Sequence, residues 1–274
     1  MKVIVFNGNL GNQVFYCAFK QYIESKNKNE KVYMYIRKGC PKVRVADCFE
    51  LDLPRRIKFG GSIIAFILFI DNCFRTIFHW SIFNSIICGN SERINERALI
   101  FTNYLQDNYY YRDLPSNWLR VRKPQKQSEQ YLYYKDLINN TNSISVHVRR
   151  GDYIGTIFTD LASTDYYDKA IAYAKSLFPD EELFFFSDDL NFVKERYGNF
   201  EKAHFVDCNR DEYSYLDIEL MSLAKVNIMA NSSFSYWGAY MNHENKTVIY
   251  PKNWFVPDSK RQAPNIVLSN WVGV

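Results

Sequence analysis

The chain has 274 residues, of which 47% are apolar and 17% aromatic. That composition excludes a disordered chain, which needs low hydrophobicity and high net charge, and the length suffices for one large or two small cores. The formal net charge of +4, from 34 basic and 30 acidic residues, comes with no long basic run. This argues against nucleic-acid binding while suiting an anionic substrate or an anionic surface.

Residues 2–6, Lys-Val-Ile-Val-Phe, read as a short buried strand that runs into the turn Asn7-Gly8-Asn9. No long apolar leader precedes it, so the expectation is a cytoplasmic protein. A helix is predicted over 12–26 and a strand over 31–36. The six cysteines, Cys17, Cys40, Cys48, Cys73, Cys88 and Cys208, include no pair at metal-clip spacing. They are expected as free thiols, with no zinc site. The sequons at Asn139, Asn231 and Asn245 then carry no expectation of glycosylation. Residues 62–88 are apolar except for Asp71, Arg75 and His79 among ionisable groups. The clean apolar run is too short to span a bilayer. Two readings follow: a helix filling the N-terminal core, or an interfacial helix resting on the inner face of a membrane.

The polar segment 120–130 reads as a surface connection, and the polar stretch Asn139-Asn140-Thr141-Asn142 as the boundary between domains 1–140 and 141–274. Beyond it the elements alternate. Strands are predicted over 144–148, 183–186, 203–206, 226–230 and 247–250. Helices are predicted over 165–178, 190–197, 211–225 and 235–242 from apolar residues at helical spacing. Such alternation means parallel strands with crossover helices. Because the N-terminal half begins the same way, the expected fold is α/β, two doubly wound halves with a cleft between them.

In open parallel sheets ligands bind beyond the carboxyl ends of the strands. Five predicted strands end in polar sets: Asn7 to Gln13, Arg149 to Tyr153, Ser187-Asp188-Asp189, Asp207 to Arg210, and Asn231 to Ser235. Arg offers a rigid, permanently charged fork that matches phosphate oxygens. The Ser232-Ser233 pair at a helix N-terminus makes a natural anion site, and Gly8 and Gly11 allow close backbone approach. Asp188 and Asp189 would either bind base or ribose donors or cap the following helix. Arg150 is a candidate ion-pair partner of Asp152. No Walker-type loop, dinucleotide Gly-x-Gly-x-x-Gly or Gly-x-Ser-x-Gly elbow occurs.

The run His147-Val148-Arg149-Arg150-Gly151-Asp152-Tyr153 resembles the α1,2-fucosyltransferases, in particular the bacterial members of glycosyltransferase family 11. Gly8 to Phe15, Phe186-Ser187-Asp188-Asp189 and Asn231 to Ala239 look like three further marks of that family, in the expected order. A weaker similarity lies at Tyr104-Leu105-Gln106-Asp107, where Asn103 replaces a usual glycine. The resemblance implies a GT-B fold with an acceptor-side domain at 1–140 and a GDP-fucose-binding domain at 141–274. It implies inverting transfer of fucose from GDP-fucose to a galactose 2-hydroxyl of a β-galactoside glycan, without metal or other cofactor. Carried over by position, Arg149 would hold the β-phosphate, and His147 would help place the nucleotide. Ser187, Asp188 and Asp217 would serve guanosine. Ser232, Ser233 and Phe234 would wrap the pyrophosphate, and Gly11 and Asn12 would reach the donor from the N-terminal half. Asp152 and Asp107 are the candidate bases. The competing expectations are a GT-B transferase of another activated sugar, or a binder of nucleotide or sugar without catalysis.

Overall fold

The structure, a computed structural model, describes residues 1–57, 60–79, 81–89, 94–115, 117–178, 180–241 and 246–274. Trp80 of the apolar stretch, the sequon at Asn245 and the end of the helix predicted over 235–242 lie outside the described residues. The chain divides into two compact units, Met1–Pro115 and Ser116–Val274.

The first unit is built from β1 (Lys2–Phe6), α1 (Leu10–Lys26), β2 (Val32–Ile36), the single turn α2 (Val45–Cys48), β3 (Arg55–Arg56), α3 (Gly61–Phe78), β4 (Ile87–Cys88) and β5 (Ile100–Phe101). Its five strands pair in parallel in the order β3-β2-β1-β5-β4. A parallel sheet must be covered on both faces, and the alternation along β1 shows how. Val3 and Val5 pack with Ile87, Ile100 and the α3 residues Ile64, Ile67 and Leu68. Phe6 packs against Tyr16 of α1 at 4.7 Å between ring centroids, and Phe19 of α1 meets Phe101 of β5 at 4.8 Å.

The second unit holds α4 (Glu129–Asn140), β6 (Asn142–Val148), α5 (Tyr166–Lys175), β7 (Glu181–Ser187), α6 (Leu190–Tyr197), β8 (Ala203–Phe205), α7 (Leu216–Leu223), β9 (Val226–Ile228), α8 (Ser233–Tyr240), β10 (Thr247–Tyr250) and β11 (Val272–Gly273). All six strands run parallel in the order β11-β10-β9-β6-β7-β8. Counted from β6, this is the strand order of doubly wound dinucleotide-binding sheets, and it reverses between β6 and β9. Val146 of β6 lies beside Ile228 of β9 and Phe185 of β7, and the fully buried Ile144, Val146, Val148 and Phe185 form the middle of the core.

The α/β architecture with two doubly wound halves is as expected, and three details differ. The division falls at 115/116, ahead of the polar stretch at 139–142. The cause is α4, which follows the polar connection and is tied into the second unit. Ser128 caps it by accepting the Tyr131 N–H at 3.1 Å. The Tyr131 hydroxyl donates to Glu219 of α7 at 2.6 Å, and Lys135 pairs with the same carboxylate at 2.7 Å. The helix predicted over 211–225 is broken into a 3-10 turn, Asp211–Tyr213, and α7. Finally, α3 does not fill the N-terminal core: Phe66 is 63% exposed and Phe69 62% exposed, and the only buried residue of the helix is Asp71.

Candidate active site

The point where the second sheet's strand order reverses puts the carboxyl ends of β6 and β9 side by side. From β6 the chain continues as Arg149-Arg150-Gly151-Asp152-Tyr153. From β9 it continues through Met229 and Ala230 to Asn231 and the N-terminus of α8. Two anion-binding features are thus brought to one edge, a guanidinium and a helix N-terminus.

The first loop is held from three sides. Asp188, just past β7, accepts the backbone N–H groups of Arg150 at 3.0 Å and Gly151 at 3.1 Å, and lies 3.4 Å from the Arg149 guanidinium. Asp152 accepts from Arg149 at 2.7 Å. The Tyr153 ring lies beneath Arg149, 5.8 Å from its guanidinium carbon, and stacks on Phe158 at 4.3 Å. Phe158 in turn bridges to Phe255. The Tyr153 hydroxyl donates to the Asn231 carbonyl at 3.1 Å, joining the two loops. Asn231, fully buried, donates through its amide to the carbonyls of Thr159 at 3.0 Å and Trp254 at 2.8 Å. Arg149 is therefore a preorganised cation on a rigid base.

The neighbouring residues sort by their bonds. Arg150 pairs with Asp189 at 2.9 Å and lies 4.2 Å above the Phe192 ring. This corrects the pairing expected with Asp152, whose partner is Arg149. Asp189 also caps α6 by accepting the Phe192 N–H at 3.2 Å, and Ser187 accepts the Asp189 N–H at 2.9 Å. The Ser187-Asp188-Asp189 turn thus supports the Arg149 loop. On the other loop Ser232 caps α8 by accepting the Phe234 N–H at 3.3 Å. Ser233 and Phe234 occupy its first turn, half-buried. The Phe234 ring lies 5.7 Å from that of His147. His147 is buried, and its Nδ1 has no hydrogen-bond partner among the described residues. Burial, aided by the Arg149 charge, pushes its pKa down to about 3, so the ring is neutral. Asp217, half-buried at the start of α7, accepts from Asn209 at 2.8 Å. Desolvation raises its carboxyl to about 7.

In the first unit the strand order turns at β1 and β5. Gly8 has φ of +103°, and a Cβ there would come 2.5 Å from the Asn12 amide nitrogen. Only glycine fits the turn that brings α1 to the end of β1. The Asn12 side chain accepts from Gln106, just past β5, at 2.9 Å. Gln13 is structural, accepting the Arg44 N–H at 2.9 Å and donating to the Lys42 carbonyl at 3.1 Å. Asp107 caps the 3-10 turn Asn108–Tyr110, accepting the Tyr109 N–H at 3.0 Å. Leu105 beside it is buried with φ of +56°, a strained conformation for a branched side chain. Gly11 is buried in the first turn of α1. The sequence reading did not anticipate the roles of Tyr153, Asn231 and Gln106 as links between loops. An aromatic or amide within a motif carries no signal of what it will reach. Among the described residues no three His, Cys, Asp or Glu side chains converge as metal ligands.

The model of glycosyl transferase family 11 matches residues 1–274. An alpha-1,2-colitosyltransferase of Escherichia coli is 31% identical over 268 residues, covering 90% of each chain. The O-antigen biosynthesis glycosyltransferase WbnK of Escherichia coli is 34% identical over 152 residues, 54% of this chain. That match spans about half the relative's length, 49%. Among solved structures, the fucosyltransferase NodZ from Bradyrhizobium superposes with a TM-score of 0.50 at 14% identity, covering 88% of this chain and 92% of that one. The ADP-heptose heptosyltransferase II of E. coli gives 0.50 at 11% identity, over 100% of this chain and 90% of that one. At such identities these two likenesses show the fold alone, which is of GT-B type.

Proposed function

The chain belongs to glycosyl transferase family 11, and from that premise we propose that this glycosyltransferase moves fucose from GDP-fucose to the 2-hydroxyl of a β-galactoside glycan, with inversion and without a metal. The observation that carries the reading is Arg149, fixed by Asp152, Asp188 and Tyr153 at the end of β6 beside the N-terminus of α8. In the proposed step the bond between the sugar C1 and the β-phosphate oxygen breaks, and its electron pair stays on that oxygen. The acceptor hydroxyl oxygen bonds C1 from the opposite face and gives its proton to a base. Arg149 and the α8 N–H groups offset the charge growing on the phosphate, the largest kind of contribution in such chemistry. His147 and Phe234 form the apolar wall against the nucleotide, and Ser232 and Ser233 line the pyrophosphate. Asp217 accepts from guanine N–H groups.

Asp152 is the better base candidate by position and the poorer one by its bonds, because its carboxylate is committed to Arg149. Asp107 is similarly committed to its turn. A second reading has activated colitose as donor, favoured by the 31% identity to a colitosyltransferase along 90% of the chain. The test is a donor panel against β-galactosides, reading nucleotide release and the linkage of the product. GDP-fucose turnover with an α1,2 product supports the proposal. Turnover restricted to activated colitose moves the donor, and tight GDP binding with no turnover on any pair overturns catalysis.

A further inference from the structure

The helix α3 inverts the usual arrangement of a surface helix. Its core-facing side carries Ile64, Ile67 and Leu68, and also its charged residues. Asp71 is buried, pairs with Arg75 at 2.7 Å and accepts a short hydrogen bond from Ser81. Its outward side carries Ile63, Phe66, Phe69, Ile77 and Phe78, all exposed, from 54% to 66%. At 100° per residue the first four fall on one stripe opposite Ile64 and Leu68. An exposed apolar stripe of this length on a folded unit marks an interaction surface.

The charge pattern around the helix selects the partner. Between Asp52 and Asp71 the chain has three basic residues and no acidic one. Two of them, Arg55 and Arg56, form β3, the exposed edge strand beside β2. The loop that leaves β2 adds the exposed Arg37 and Lys38. The N-terminus of α3 lies against β2, where a Cβ at Gly61 would come 3.8 Å from the Tyr35 ring. An uncharged aromatic and aliphatic stripe, with Arg55 on the sheet face that α3 covers, matches an anionic bilayer surface, which takes apolar side chains at the headgroup boundary and holds cations in the headgroup layer. Its other side is packed on the first sheet, so the stripe is presented outward along the length of α3.

We propose that the first unit docks on anionic lipid through the Ile63–Phe78 face of α3, with Arg55 of the neighbouring edge strand reaching the headgroups. The test is flotation of the whole chain with vesicles of phosphatidylglycerol and phosphatidylcholine, and with vesicles of phosphatidylcholine alone. The wild type should float with the anionic vesicles and far less with the neutral ones. Phe66→Glu with Phe69→Glu should lower the bound fraction about tenfold or more, since the apolar contact is lost. The melting temperature and GDP binding should stay unchanged, because both side chains are solvent-exposed. Arg55→Glu, which leaves the apolar face intact, should lower the preference for anionic vesicles. Wild-type protein that stays soluble with both vesicle types overturns the proposal. So does flotation by the Phe66/Phe69 variant, or equal flotation on neutral lipid. A wild-type dimer in sedimentation that the same variant converts to monomer, with no flotation, would overturn it in favour of a second copy of this chain.

Discussion

Replacing His147 by glutamine should change how stability depends on pH. His147 is 5% exposed, packed against the Phe234 ring, with an unpartnered Nδ1 and the Arg149 charge nearby. Its folded-state pKa, near 3, lies below the 6.5 of a free imidazole. The folded protein therefore holds fewer protons on this ring than the unfolded chain at any pH between those values. The stability that the neutral ring supports is present above pH 6.5 and is lost as the pH falls toward 3. At 1.36 kcal/mol per pH unit, the wild type should lose about 2 kcal/mol through this residue between neutral pH and pH 5. His147→Gln titrates nothing, so its deficit relative to wild type should shrink by about that amount over the same interval. Urea unfolding of both proteins at pH 7.5, 6 and 5 measures the difference, and only its change with pH matters, whatever the variant costs at neutral pH. Parallel stability curves would refute the reasoning, as would an NMR titration of the His147 ring with a midpoint above about 5.

Arg149→Lys should lose about 100- to 1000-fold in turnover, nearly as much as Arg149→Ala, with melting temperatures close to wild type, because an ammonium does not reproduce the fork held by Asp152 and Asp188. Retention of more than about a tenth of the activity by the lysine variant would contradict that role. Turnover should survive EDTA and gain nothing from added magnesium or manganese. Loss with EDTA that either ion restores would show a metal in the step. Gly238→Ala should cost about 1–3 kcal/mol by crowding, because a Cβ there would come 2.8 Å from Met221 Cε and 2.9 Å from Met221 Cβ. A melting temperature equal to wild type would show that α7 and α8 yield more easily than their contact indicates.

Much of the second unit was legible because its rule is local. A run such as Leu183 to Phe186 is apolar throughout, and only a sheet covered on both faces suits it. The helix expected over 190–197 is found at Leu190–Tyr197, where Asp189 caps one end and apolar residues recur at helical spacing. The two-residue strands β3, β4, β5 and β11 were not legible. Such strands have no period to detect, and they exist because a longer neighbour offers them hydrogen bonds. The helix α4 was missed for a related reason, since its anchors Tyr131 and Lys135 find their partner Glu219 far along the chain.

The sequence by itself determined the α/β class, the alternation that makes both sheets parallel, and the set of polar turns that close their strands. It also carried the family, because the run from His147 to Tyr153 and the Asn231 turn are contiguous. Only the tertiary structure decided the order β11-β10-β9-β6-β7-β8, which sets the β6 and β9 turns side by side. It alone decided that Asp152 pairs with Arg149 rather than with Arg150, that Ser187 and Asp189 support a loop, and that Tyr153 links it to Asn231. It likewise decided which side of α3 meets solvent. Backbone propensity and apolar periodicity act over a few residues and are written in the chain. Which neighbour satisfies a given charge or covers a given face depends on residues distant in sequence, and folding is what brings them together.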